Sequence, residues 1–182
     1  MKLEGITVLD LSLFLPGPAA TQIMADHGAR IIKVENPRAP EPTRSADAFP
    51  WQQGGETVMF RNTQRGKESI ALDLKTEAGK RALLALAKTV DVVVEAFRPG
   101  VAARLGIDYA ALSTDNPGLV YCSISAFGQT GPWCDRPAHD TATVAAAGIL
   151  DVTRSPEGTA GPAIIGVPIA DMLASNLALS GI

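Results

Sequence analysis

The 182-residue chain is short of the residues that mark several classes of protein. Its two cysteines, Cys122 and Cys134, have neither CxxC nor Cys–His spacing. A disulfide framework and a zinc site are therefore not expected, and a reducing compartment is the default. Aromatics make up 5% of the residues, too few for the stacking platforms that hold single-stranded nucleic acid. The net charge of −3 supplies no global basic field, which argues against nucleic acid as the main partner. No apolar run reaches the roughly 18 residues of a membrane span, and Met1-Lys-Leu-Glu-Gly-Ile6 holds no signal-peptide core. The expected location is the cytoplasm, with no membrane partner and no metal.

What is present reads as one domain over residues 1–182, with 46% hydrophobic and 19% charged residues, ordinary for a globular protein. Ile6-Thr-Val-Leu-Asp-Leu11 is short, β-branched and almost continuously apolar, as a strand buried on both faces must be. Breakers follow in Ser12-Leu-Phe-Leu-Pro-Gly-Pro18. A helix is expected over Ala19–His27, stopped by Gly28, then a second strand over Arg30–Glu35. Strand, tight loop, helix and strand within about 30 residues make a βαβ unit. The loop lacks the G-x-G-x-x-G of a dinucleotide site, so Glu35, at the strand end where a ribose-binding acid would lie, is not assigned that role. Residues 37–55 read as a surface excursion and Asn62–Lys67 as a basic turn. Further strands are expected over Ser69–Leu74, Asp91–Glu95 and Leu119–Ser125. Helices are expected over Thr76–Lys88, Ala102–Leu105, Tyr109–Ser113, Ala142–Asp151 and Met172–Ser180, with Ser155–Pro162 as a turn-rich connection. The order predicts an open, parallel, Rossmann-like α/β sheet with flanking helices and a ligand crevice at the strand C-termini.

Three features at those strand ends suggest chemistry. Arg65, Lys67, Lys75, Arg98 and Arg104 lie in or beside loops. Two guanidinium groups on the loop–helix corner of Arg98 and Arg104 suit a phosphate, whose oxygens match the fork of donors; a solvated surface paired with Glu95 or Asp108 is the alternative. His139, in Ala138-His-Asp140, follows the Gly-rich loop Phe127-Gly-Gln-Thr-Gly-Pro132. It suits general acid/base work, or else forms with Asp140 an N-cap pair for the next helix. His27, at a helix C-terminus, suits the helix dipole. Gly166-Val-Pro-Ile-Ala-Asp171 delivers the only charged residue after Glu157 to the start of a helix. Asp171 is either an N-cap or a reactive carboxylate in an apolar setting.

The ordered set of motifs resembles the family III CoA-transferases (the CaiB/BaiF family). The pieces are Leu3-Glu-Gly-Ile-Thr-Val-Leu-Asp-Leu11, Pro16-Gly-Pro18, Gly28-Ala-Arg-Ile-Ile-Lys-Val-Glu35, Arg65-Gly-Lys67, Ser69–Lys75, Asp91–Gly100, Leu105-Gly106, Phe127–Pro132 and Gly166–Asp171. The resemblance implies acyl-CoA and a carboxylic acid as substrates, with coenzyme A cycling through the reaction and no permanently bound cofactor. It implies that Asp171 attacks the donor thioester and then carries CoA as an aspartyl thioester. It places Leu72, Lys75, Ala96, Phe97, Arg98 and Arg104 at the CoA-contacting positions. Leu13, Phe14 and Leu15 stand where some members carry polar residues. The related α-methylacyl-CoA racemases use a histidine at the position of His139 with an aspartate at that of Asp171, so acid/base epimerisation is the alternative; a CoA-binding module without catalysis is a third. Family members run to about twice this length and pair as interlocked dimers. A truncated or split member is therefore expected, active as a homodimer or with a partner chain that supplies the second half, and with little turnover alone.

Overall fold

The computed structural model describes residues 1–45, 51–153 and 161–182. Five strands form one parallel sheet: β1 (Thr7–Asp10), β2 (Arg30–Glu35), β5 (Glu68–Ala71), β6 (Val92–Glu95) and β7 (Val120–Ser123). Between β2 and β5 lie a 3-10 turn (Pro42–Arg44), a two-residue hairpin of β3 (Gln52–Gln53) and β4 (Glu56–Thr57), and α2 (Val58–Gln64). The remaining helices are α1 (Pro16–Asp26), α3 (Glu77–Ala87), α4 (Val101–Leu105), α5 (Tyr109–Leu112), α6 (Asp140–Ala146), α7 (Ile149–Val152) and α8 (Ile169–Gly181).

The strand order is β5-β2-β1-β6-β7, so the chain runs outward from β1 to one edge and returns to build the other. The reversal falls between β1 and β6, and ligands of such sheets bind beyond the carboxyl ends of the strands at that switch point. Alternate residues of each strand face opposite sides, and both sides are covered. Leu9, Leu11, Ile32, Val34 and Val93 pack with Leu83 and Ala87 of α3 and with Ile107 and Leu112. Val8, Ile31, Val92 and Val94 pack with Met24 of α1 and, at the other end of the chain, Leu179 and Ile182. This double covering explains why the strands read as continuous apolar runs.

The expected sheet stands, with local differences. Helix α1 begins at Pro16 rather than Ala19, because Pro needs no amide partner in a first turn. His27 is its C-cap. Thr76 caps α3 through the Gly79 amide, as its sequence position suggests. The strand expected over Ser69–Leu74 stops at Ala71, where Asp73 turns the chain by accepting from Lys75 N and, through its carbonyl, from Thr76 Oγ1. The helix expected over Ala142–Asp151 is two helices, α6 and α7, divided by Gly148 at φ +79°. Helix α2 escaped the sequence reading. Its Val58-Met-Phe60 run is consecutive rather than periodic, and its Thr57 cap has no acidic partner three residues on. The connection Ser155–Pro162 lies almost wholly outside the described residues.

Candidate active site

The loop from β1 to α1 rests on a buried set of charges. Asp10, Lys33, Glu41 and Lys67 have side chains at most 2% exposed. Lys67 Nζ donates to Asp10 Oδ2 at 3.1 Å, Pro18 O at 2.9 Å and Thr21 Oγ1 at 2.8 Å. Lys33 Nζ lies 3.8 Å from Asp10 and 3.3 Å from Glu41, and donates to the carbonyl of Ser12. Burial alone would raise the Asp10 carboxyl; the charges of Lys33 and Lys67, with bonds from Ser12 and Thr21, outweigh it and hold it at about 2. Burial takes Lys67 the other way, down to about 8 against the pull of Asp10. Lys67 is thus not a ligand-facing cation, contrary to the reading that grouped it with the anion-binding residues. Arg65 is also engaged, by Asp26 at 2.5 Å. Glu35 accepts from Arg44, Ser69 and the Glu41 amide, so its work here is structural.

Two details fix the shape of this loop. Gly17 packs on buried Ser12 so closely that a Cβ would stand 2.2 Å from the serine's; its role in Pro16-Gly-Pro18 is close approach, not anion binding. Phe14 has φ 64°, the one non-glycine residue with positive φ among those described. Its amide donates to Glu41 Oε1 at 3.1 Å, which holds the strained turn from below.

Over this loop lies α8. Ser175, fully buried, is placed to donate to Pro16 O or Asp171 O, each at 2.8 Å. Asp171 sits in the first turn of α8, but Pro168 occupies the N-cap position. The free amides of Ala170 and Asp171 are instead taken by Asp140 Oδ1, at 2.7 and 3.1 Å. The capping role open to Asp171 in the sequence therefore belongs to a residue 31 positions earlier. Among the described residues no donor bonds the half-buried Asp171 carboxylate. Burial raises its pKa, the charge of Asp140 raises it further, and His139 opposes both. His139 occupies the N-cap position of α6 but makes no side-chain cap bond; its exposed ring meets Phe14 edge-on at 6.2 Å. Asp171, His139, Asp140 and Phe14 thus form one group above the β1 end of the switch point.

The anion-binding candidates sit at the neighbouring strand ends. Leu72, half-buried, follows β5 and packs on the core. Lys75 is exposed in the next turn. Ala96, half-buried, follows β6, and Phe97 packs on the core while its amide donates to Glu95. Arg98 and Arg104 are exposed across the Gly100 corner, which at φ +79° starts α4. Among the described residues neither arginine, nor Lys75, has an ion-pair partner. Arg98 borders a cavity of about 400 Å³ lined also by Glu95, Asp108, Tyr109, Tyr121 and Gln129. Among the described residues no group of acidic, His and Cys side chains could hold a metal ion, and no helix is long and apolar enough to cross a membrane.

The sequence pattern of CoA-transferase family III matches residues 3–182. The chain belongs to this family. It is similar to the succinate–glutarate CoA-transferase of Agrobacterium fabrum, 40% identical over 99% of this chain and 46% of that protein. It is also similar to human α-methylacyl-CoA racemase, 36% identical over 89% of this chain and 38% of that protein. A CaiB/BaiF family protein from Brucella suis shares the fold with a TM-score of 0.86 and 36% identity, over 98% of this chain and 49% of that one. The chain spans about half the length of these relatives.

For this family III chain, the sequence names Asp171 and His139 as candidates but not how they are held. Asp140 reads in the sequence as part of a local cap for its own helix; nothing there announces a bond to α8. Glu41 lies in a Pro-rich excursion and gave no signal. Phe14 stands out in the sequence only as a departure from polarity, since positive φ in a phenylalanine leaves no mark there.

Proposed function

We propose that this chain is the CoA-binding and thioester-handling part of an acyl-CoA:carboxylate CoA-transferase. The observation that carries the reading is the state of Asp171. Its carboxylate is half-buried, accepts no hydrogen bond among the described residues and is relieved of capping by Asp140. An oxygen of the ionised carboxylate attacks the thioester carbon, the C–S bond breaks, and CoA leaves as thiolate. The thiolate then attacks the Asp171 carbonyl of the mixed anhydride, releasing the donor acid and leaving CoA as an aspartyl thioester. The acceptor carboxylate reverses both steps. Desolvation makes the anion a better nucleophile, while the first turn of α8 favours the ionised form. Coenzyme A is a substrate here, and Leu72, Lys75, Ala96, Phe97, Arg98 and Arg104 are its contacts, with the unpaired arginines meeting its phosphates.

The relatives differ in acyl group, from succinate and glutarate to oxalate in the Acetobacter aceti enzyme. Incubation with acyl-CoA, hydroxylamine trapping and peptide mass mapping tests the proposal. An adduct at Asp171, absent in Asp171→Asn, is expected; an undiminished adduct in that variant refutes it.

His139 beside Asp171 favours one second reading, acid/base epimerisation of the type named for the human racemase. Deuterium entry at the α-carbon without any acceptor acid, lost in His139→Ala, would select it.

A further inference from the structure

We infer that Phe14 sets acyl specificity, selecting apolar acyl groups over acyl groups with a second carboxylate. The inference rests on the reading of Asp171 as the thioester-handling group. Phe14 is 40% exposed although Leu11 and Ser12 before it and Gly17 and Pro18 after it are buried. A phenylalanine at φ 64° is strained, and the fold maintains that strain from underneath. Glu41, 1% exposed, takes the Phe14 amide with one carboxylate oxygen, and its other oxygen faces Lys33 at 3.3 Å. Lys33 in turn holds the carbonyl of Ser12. Two anchors, one on each side of Leu13, thus present the Phe14 ring outward. The presented ring meets His139 at 6.2 Å and 84°. It stands beside the group that contains Asp171, where the acyl carbon of a thioester must come.

Charge at this place favours the same class of acyl chain. The field acting on Asp171 comes from Asp140, which opposes its ionisation, and from His139, which assists it. A distal carboxylate on the acyl chain would add a further negative charge near Asp140 and Asp171, with His139 the group that offsets it. Leu13 and Leu15, both half-buried, flank Phe14 and extend the apolar wall. An alkyl chain would gain about fourfold in affinity for each methylene it buries against that wall.

Calorimetric titration with CoA, succinyl-CoA and octanoyl-CoA tests this, using wild type, Phe14→Ala and Phe14→Gly. The glycine variant removes the ring and accommodates the positive φ, so it keeps the test valid where alanine impairs folding. In wild type, octanoyl-CoA is expected to bind at least about tenfold more tightly than CoA, and succinyl-CoA no more tightly than CoA. In the variants CoA affinity should stay within about twofold, while the octanoyl advantage falls by at least about threefold. Preference for succinyl-CoA in wild type, or an octanoyl advantage unchanged in both variants, overturns the inference while leaving the acyl-CoA reading intact. Absence of CoA binding to wild type overturns the acyl-CoA reading, and this inference with it.

Discussion

Replacing Asp140 separates two things its carboxylate does for α8. It accepts from the Ala170 and Asp171 amides at 2.7 and 3.1 Å, and its charge opposes that of Asp171. An N-cap oxygen is worth about 0.5–2 kcal/mol, and bonds to a charged acceptor lie toward the upper end. With two amides satisfied at a half-buried position, Asp140→Ala should cost about 2 kcal/mol. For a chain of this size that is a fall of about 4–8 °C in Tm. Asp140→Asn keeps an oxygen for both amides and loses only the charge–dipole attraction, about 0.3–1 kcal/mol, against which the relieved repulsion from Asp171 acts. It should therefore cost under about 1 kcal/mol. The asparagine variant should also lower the pKa of Asp171, because an opposing charge has gone. Urea denaturation measures the first quantity, and 13C NMR of the Asp171 carboxyl, assigned by its loss in Asp171→Asn, measures the second. Equal destabilisation by alanine and asparagine, or an unmoved Asp171 titration, would refute the assignment of Asp140 as cap and electrostatic neighbour.

Two further outcomes follow from the buried framework. The Asp10 carboxyl sits at about 2 in the fold against an ordinary 3.8. Its contribution of about 2 kcal/mol is thus fully present above pH 4 and lost as pH falls through 2. Asp10→Asn should flatten that acid limb in pH-dependent denaturation. At neutral pH it should cost about 3–5 kcal/mol, because buried Lys67 loses the carboxylate it donates to and Lys33 is left with Glu41. Gly79→Ala should destabilise the chain by about 1–3 kcal/mol in chemical denaturation, although alanine is the better helix former by about 1 kcal/mol. A Cβ there would lie 2.2 Å from the Asp73 carbonyl oxygen.

The strands and most helices were legible because their signals are local. Val8 and Leu9 must both be apolar when a parallel sheet is covered on both faces, and Thr76 caps the helix that follows it directly. Local signals also misled where one side chain had two uses. Lys67 reads as a loop cation yet is buried on Asp10, 57 positions away, and Asp140 reads as the cap of α6 yet closes α8.

The sequence by itself determined the α/β class, the positions of the strand-end loops and, through its ordered motifs, the family, and it named Asp171 as the candidate carboxylate. The tertiary structure alone decided what surrounds that aspartate. Packing of α8 on α1 brings the end of the chain over the first loop, and the switch point sets β1 beside β6. Asp171 is thereby freed from capping, because Asp140 satisfies its helix across 31 residues. Such a bond depends on where two helices meet in space, and no pattern along the chain encodes it.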